Sequence, residues 1–200
     1  MPRRQPLPRT WMLTDERQGD NVARCLRRLP PSSGLIVRHY SLPPYARERL
    51  CRRLARLARV RGQIVLFASR DCVAPDLADG AYREGRRRLA EAGLVLACPA
   101  HDLAEIRSAE RRRADFILLS PLFATRSHPG APALGVLRFA ALARSTRLPV
   151  VALGGVTQGH ARLVRQLGAW GWSGIDAFGG RMPASGRRSA ERQKRKAVPI

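Results

Sequence analysis

The chain has 200 residues and a mass of 22.2 kDa, a length typical of one compact domain rather than two. Hydrophobic residues make up 44% of it and charged residues 26%, which excludes a disordered, collagenous or coiled-coil protein. The net charge of +22 indicates nucleic acid or another polyanion as a partner. Lys194 and Lys196 are the only lysines, so a general preference for arginine is a second explanation of this charge.

The cysteine spacing and the segment composition narrow the class of protein further. The four cysteines are widely spaced, with no Cys-x-x-Cys pair, and predict neither a zinc site nor a disulfide framework. No segment has the pattern of a secretory signal or a membrane span, so we expect a cytoplasmic protein without a membrane partner. Residues 1–9 are predicted to be an N-terminal extension and residues 10–180 a single domain. Residues 181–200 are predicted to be a disordered basic tail that binds polyanions weakly and nonspecifically.

Short apolar or β-branched runs alternate along the chain with longer segments of helical spacing, a pattern that predicts alternating strands and helices. The predicted strands are residues 11–14, 35–39, 64–68, 80–83, 94–98, 115–120, 150–153 and 175–178. The predicted helices are residues 21–29, 44–60, 71–77, 86–92, 103–112, 136–145 and 160–167.

The composition of these strands indicates how they pack. Residues 64–68 and 116–119 are continuously apolar, as expected for parallel strands covered on both faces. Eight such strands close most economically into an α/β protein of one small domain, a (β/α)8 TIM barrel. An open, doubly wound parallel sheet is the alternative. In either fold, residues just after the strands carry the chemistry.

Two glycine pairs follow the last two predicted strands. Gly154 and Gly155 follow the seventh strand, and Gly179 and Gly180 follow the eighth. Glycine lets backbone N–H groups turn toward an anion with no Cβ in the way. Adjacent turns of this kind are where many barrels bind phosphate, so we predict a phosphate site there. The alternative is that they are tight turns only.

The stretch from residue 114 to 156 carries four motifs: Ala114-Asp115, Ser120-Pro121-Leu122-Phe123, Thr125-Arg126-Ser127-His128 and Ala152-Leu153-Gly154-Gly155-Val156. It resembles the thiamine phosphate synthase and TenI superfamily, of which the chain would be a divergent member. The resemblance implies a (β/α)8 barrel of thiamine biosynthesis that binds a thiazole phosphate. It also implies coupling of that ligand to hydroxymethylpyrimidine diphosphate, with release of pyrophosphate.

The resemblance can be carried to individual residues. On the thiazole phosphate side it implies hydroxyl groups, a Gly-Gly turn and backbone amides after the eighth strand as binding groups. These correspond to Thr125, Ser127, Gly154, Gly155, Phe178 and Gly179.

The diphosphate side departs from the family pattern. Arg38 is retained after the second strand, whereas Ser69 and Arg70 stand where the family has a magnesium-binding Asp, and Arg87 aligns near a second one. Arginine repels Mg²⁺, so we predict no metal ligands and expect Mg²⁺ only if the diphosphate site survives, for example through Asp71. Alternatively, the arginines themselves bind the phosphate oxygens.

Two histidines are candidate proton carriers. His101 and His128 are expected at the carboxyl ends of the strands, and with Arg38 they form the candidate catalytic set. TenI relatives use a histidine at the position of Pro121 for a proton shift. His39 and His160 are interpreted as surface histidines.

Three functional hypotheses follow. The first is a synthase-like protein that binds a thiazole phosphate, and whether it is an enzyme stays open. The second is a thiazole tautomerase-like or catalytically degenerate barrel that binds a phosphorylated ligand. The third is a basic nucleic-acid-binding protein. Formation of a homo-oligomer also stays open.

Overall fold

The computed structural model describes residues 6–68, 78–82, 94–125, 130, 132–175 and 178. Its strands are β1 (Thr10–Leu13), β2 (Gly34–Val37), β3 (Ile64–Ala68), β4 (Gly80–Tyr82), β5 (Val95–Ala100), β6 (Phe116–Leu119), β7 (Val150–Ala152) and β8 (Gly171–Gly174). The described helices are α1 (Val22–Arg28), α2 (Pro44–Arg59), α3 (Leu103–Arg111), α4 (Gly135–Arg144) and α5 (Ala161–Gln166). Two short 3-10 helices cover Glu16–Asn21 and Gln158–His160.

The eight strands form a closed parallel barrel in chain order. Closure is made by β1 and β8, where Thr10 pairs with Trp172 and Met12 with Gly174. The predicted (β/α)8 fold is therefore confirmed, and the alternative of an open doubly wound sheet is wrong, because both edge strands are paired. Among the described residues, no helix is long and apolar enough to cross a membrane.

Large side chains fill the inside of the barrel. Trp11 and Phe116 are fully buried there, with ring centroids 4.7 Å apart. Trp11 lies beside Gly34 of the neighbouring strand, and its indole N–H donates to the Pro8 carbonyl at 2.9 Å. The side chains that share this interior cluster include Leu13, Ile36, Leu66, Leu118 and Val151.

Two further apolar clusters lie between the barrel and its helices. One joins α1 and α2 to β1, β2 and β3, and the other joins α3, α4 and α5 to the strands from β5 to β8. Strand residues therefore alternate between the barrel interior and the helix layer, as the period of two requires.

The eighth strand was predicted wrongly at residues 175–178, because that run is the more apolar one. The strand is Gly171–Gly174, and a Cβ on Gly171 would lie 2.1 Å from the Arg9 carbonyl oxygen. The barrel closes through small residues here, which a search for apolar runs misses. Ile175 follows the strand and packs against the interior cluster.

An aspartate before each of two strands extends the hydrogen bonding of the barrel. The Asp115 carboxylate accepts from the Leu96 N–H at 2.7 Å, and the Asp79 carboxylate accepts from the Val65 N–H at 2.8 Å. The Ala114-Asp115 motif therefore has a structural role in this chain: it joins the beginnings of β5 and β6.

Candidate functional site

The segments that follow β6 and β7 lie side by side at the carboxyl end of the barrel. The Leu122 N–H donates to the Leu153 carbonyl at 2.8 Å, and the Phe123 N–H donates to the Gly154 carbonyl at 3.0 Å. These bonds fix the segment that carries Thr125 against the Gly154–Gly155 turn. Two of the sequence motifs, residues 120–123 and residues 152–156, thus form one edge of the carboxyl end of the barrel.

Glycine is required at both positions of this turn. Gly154 has φ +94° and Gly155 has φ +63°, in the region that side chains rarely adopt. A Cβ on Gly154 would lie 2.6 Å from the Pro121 Cα, and one on Gly155 would lie 2.7 Å from the Ala124 carbonyl oxygen. The two glycines therefore permit both the backbone conformation and the close approach of the β6 segment.

The turn also presents hydrogen-bond donors. Within the part of the chain that the structure describes, the N–H groups of Gly154 and Gly155 donate to no acceptor. Gly155 is exposed and Gly154 is partly exposed. Successive N–H groups in a turn with positive φ form a concavity suited to an anion. This edge can therefore hold phosphate oxygens.

The other residues predicted for the thiazole phosphate side have mixed outcomes. Thr125 is partly buried beside the glycine turn. Ser127, His128 and Gly179 lie outside the described residues. The Phe178 ring stacks on Trp172 with centroids 5.4 Å apart, so its side chain belongs to the packed layer around the barrel.

Arg38 lies at the carboxyl end of β2, where the sequence places it. Its guanidinium contacts the Asp15 carboxylate at 3.1 Å and donates to the Thr14 carbonyl at 3.1 Å. The side chain of Arg38 is 19% exposed and that of Asp15 is 15% exposed, so the pair is largely shielded from solvent. Arg38 is therefore held in position by Asp15, a residue that was not predicted from the sequence. The sequence feature that could have indicated Asp15 is the run of polar residues 14–16 directly after β1.

His39 is not a surface histidine, contrary to the interpretation from sequence. It is only 6% exposed, and its Nδ1 lies 2.8 Å from the Thr14 hydroxyl. The Arg38 N–H donates to that same hydroxyl oxygen at 2.9 Å, so Thr14 contacts both residues 38 and 39. Burial lowers the pKa of His39, while the carboxylates of Glu16 and Asp15 act in the opposite direction.

This burial predicts a pH-dependent stability. A histidine whose pKa falls on folding contributes stability above its unfolded pKa of about 6.5, and that contribution is lost as pH falls through the folded pKa. We expect the wild-type free energy of unfolding to fall more steeply below pH 6.5 than that of His39→Asn. Asn tolerates the positive φ of residue 39 (+40°) and retains an acceptor.

Urea unfolding across this pH range measures the difference in the free energy of unfolding. His101→Asn, at an exposed position, is the control. Parallel pH profiles for wild type and His39→Asn would show that His39 is not the titrating group.

His101 is exposed at the carboxyl end of β5, as predicted. Its Nδ1 lies 2.8 Å from the Glu105 carboxylate, which also accepts from the His101 backbone N–H at 2.7 Å. Asp102 caps α3 by accepting from the Glu105 N–H. A proton on Nδ1 directed at Glu105 leaves Nε2 as the acceptor. The sequence contained the signal for this pair, because Glu105 follows His101 by four residues.

His160 is partly buried and has a local structural role. Its Nδ1 accepts from the Thr157 N–H at 3.1 Å, and its ring lies 5.0 Å from that of Phe123. It thus packs the segment after β7 against the segment after β6.

The donor groups of the described residues do not form a magnesium site. Ser69, Arg70 and Arg87 lie outside the described residues, and hydroxyl or guanidinium groups in their place supply no carboxylate oxygen. Within the described ranges, no group of three or more His, Cys, Asp or Glu side chains could hold a metal ion. The Asp15 carboxylate at the barrel mouth is bound by Arg38.

The described cysteines are poorly suited to act as nucleophiles. Cys25, Cys51 and Cys98 are free and buried. Burial raises the pKa of the Cys51 thiol to about 12, and it also raises those of Cys25 and Cys98. Thiolates are the reactive form, so these side chains act as small apolar groups.

The fold and this edge define a closed (β/α)8 barrel with backbone donors at the carboxyl ends of its strands. The family model described as thiamine monophosphate synthase (TMP-TENI) matches residues 77–178, about half of the chain. The chain belongs to this thiamine monophosphate synthase family.

Individual relatives agree with this membership. The putative thiamine-phosphate synthase 2 of Aquifex aeolicus is 28% identical over 182 residues, covering 86% of this chain and 98% of the relative. The thiamine-phosphate synthase of Geobacillus thermodenitrificans is 35% identical over 144 residues, covering 66% of this chain and 64% of the relative. In fold, the chain is similar to the solved structure of thiamine phosphate pyrophosphorylase from Pyrococcus furiosus, with a TM-score of 0.71 at 22% identity, covering 86% of this chain and 87% of that one.

Proposed function

We propose that this protein acts in thiamine biosynthesis and binds a thiazole phosphate at the carboxyl end of its barrel. The observation that carries the proposal is the Gly154–Gly155 turn, whose N–H groups bind no acceptor among the described residues and lie beside the segment of Thr125. Family membership supplies the ligand class. Small phosphorylated molecules are the substrates that such a turn suits, because its donors converge on an oxyanion.

The phosphate group is held by several donors in this proposal. The N–H groups of Gly154 and Gly155 bind its oxygens, and the Thr125 hydroxyl donates from the adjacent segment. Ser127 and the backbone N–H of Gly179 complete the set. Each such bond is charge-assisted and is therefore stronger than a bond between neutral groups.

The reaction proposed for this site is that of the family. The thiazole nitrogen forms a bond to the methylene carbon of hydroxymethylpyrimidine diphosphate. The bond from that carbon to the diphosphate oxygen breaks, and its electron pair leaves with pyrophosphate. The leaving charge must be neutralised, and arginines do this in the proposal: Arg38, Arg70 and Arg87, with Ser69 as a hydroxyl donor.

A tautomerase-like activity is the second candidate, and the geometry of His101 favours it. An imidazole whose Nδ1–H is held by Glu105 leaves Nε2 free to accept a proton from a bound thiazole. His128 is the other proton carrier in this proposal. Pro121 occupies the position at which TenI relatives have their histidine.

Binding and turnover should be tested separately. Calorimetric titration with thiazole phosphate should show binding to the wild type and a loss of about 10- to 100-fold in affinity for Thr125→Val, which keeps the shape but removes the hydroxyl. Thr10→Val is the matched control. Thr10 begins β1, at the end of the barrel opposite to the candidate site, and this variant should bind as the wild type does. Equal affinities for wild type and Thr125→Val would contradict the assigned role of Thr125.

Turnover is measured as thiamine phosphate formed from both precursors, with Mg²⁺ or with a chelator. We expect any turnover to persist in the chelator, because arginines replace the metal ligands. Turnover that requires Mg²⁺ would contradict this replacement. Binding without turnover, together with a proton shift on the thiazole that is lost in His101→Gln, would favour the tautomerase-like candidate.

A further inference from the structure

A cleft of about 410 Å³ opens at the amino end of the barrel, opposite to the candidate site. It lies among the connection between α4 and β7, the connection between α5 and β8, and the residues before β1. The described residues that line it include three exposed arginines, Arg9, Arg147 and Arg165, and no acidic residue.

A position at the end of a helix accounts for only one of these three arginines. Arg165 lies in the last turn of α5, where a cation offsets the helix dipole. Arg9 and Arg147 lie outside any helix. The Arg9 guanidinium is fixed by the Trp170 ring, whose centroid is 4.3 Å away. Trp170 therefore holds the Arg9 guanidinium in position at the cleft.

The described carboxylates near this end of the barrel are bound to other groups. Asp79 and Asp115 accept from the backbone at the beginnings of β3 and β5. Glu110, which contacts Thr146 at the edge of the cleft, is bound by Arg107 at 2.8 Å. The charge of the three cleft arginines is therefore available to a ligand.

We propose that this cleft binds the phosphodiester backbone of a nucleic acid, without reading its sequence. Guanidinium groups match phosphate oxygens. The cleft is open and its arginines are exposed, whereas sites for small molecules bury most of their ligand. The basic surface extends beyond the cleft through exposed arginines at the ends of other helices: Arg28, Arg59, Arg111 and Arg144. An extended polyanion can use this whole face, and a single small anion cannot.

The test compares two triple variants of the full chain that remove the same charge. Arg9→Gln, Arg147→Gln and Arg165→Gln remove the cleft charges, while Arg49→Gln, Arg52→Gln and Arg53→Gln remove three exposed charges from α2, away from its last turn. Binding to a short mixed-sequence DNA duplex is measured by fluorescence anisotropy over a series of salt concentrations.

For the cleft variant we expect affinity at low salt to fall by about tenfold or more, and the slope of log K against log salt to shrink by about 0.9 for each lost phosphate contact. The α2 variant should keep nearly the wild-type slope. Arg147→Gln with Arg165→Gln alone, which leaves Arg9 on Trp170, should give about two-thirds of the change in slope.

Three results would overturn the proposal. Equal losses in the cleft and α2 variants would show that diffuse charge is responsible. Absence of DNA binding by the wild type would exclude a nucleic acid. Displacement of bound DNA from wild type by stoichiometric inorganic pyrophosphate would identify a small-anion site instead.

Discussion

Replacing Gly154 by alanine is expected to abolish measurable binding of thiazole phosphate, a loss of more than about 100-fold in affinity. The added Cβ would lie 2.6 Å from the Pro121 Cα, and φ +94° is disfavoured for any residue with a side chain. The left-handed strain alone costs about 1–2 kcal/mol. Because the Pro121 contact is backbone, the turn itself must move, and its N–H groups move with it. Calorimetric titration of the folded variant measures this loss.

Gly168 provides a closely matched control for this change. It has φ +93°, but a Cβ there would meet only the Arg144 Cγ at 3.5 Å and the Ala143 Cβ at 4.0 Å. It lies between α5 and β8, at the other end of the barrel. Gly168→Ala therefore adds the same backbone strain without disturbing the β6 segment, and it should keep wild-type affinity. Wild-type affinity in Gly154→Ala would contradict the assigned role of the turn.

Replacing Gly34 by alanine is expected to destabilise the fold by about 3 kcal/mol, at the upper end of the usual cost of overpacking a core. The new Cβ would lie 2.1 Å from the Trp11 Cε3, inside the barrel where the ring cannot leave without opening the interior. The free energy of unfolding in urea measures the effect. Gly159→Ala, whose Cβ would lie 3.7 Å from the Thr157 hydroxyl, should change stability little.

A second substitution tests the cause of this loss. Trp11→Phe in the Gly34→Ala background makes room for the new methyl group, so the double variant should lose less stability than the sum of the two single losses. Additive losses in the double variant would show that Trp11 is not what Gly34 accommodates.

Much of the fold could be predicted from sequence because the strands are apolar on both faces. Strand β3 was predicted with its exact bounds, and the ring of eight strands followed from the alternation of elements. The position of strand β8 was predicted wrongly, because the strand contains Gly171, which the close approach of the Arg9 backbone requires, and the buried polar residue Ser173. Neither residue contributes to an apolar run.

The candidate site could be predicted where it depends on local backbone, and less well where it depends on contacts between strands. The Gly154–Gly155 turn was visible as a pair of glycines after an apolar run. The burial of His39 depends on Thr14, which is distant in sequence and adjacent only because β1 and β2 pair. The Asp15–Arg38 pair arises from the same pairing.

The structure also shows where arginines that contribute to the net charge of +22 lie, which composition alone cannot show. Arg38 lies at the carboxyl end of the barrel, where Asp15 holds it in position. Arg9, Arg147 and Arg165 line a cleft at the opposite end, where none of the lining residues that the structure describes is acidic. The two ends thus suit different anions: a small phosphorylated ligand at one and an extended polyanion at the other.

The most direct test of the central claim is a titration of the wild-type protein with thiazole phosphate, followed by backbone amide NMR. The amide signals of Gly154, Gly155 and Thr125 should shift with a single saturable affinity, and those of Gly168 and Trp170 at the opposite end should stay in place. A saturating ligand that leaves Gly154 and Gly155 unchanged would contradict the assignment of the phosphate site to this turn.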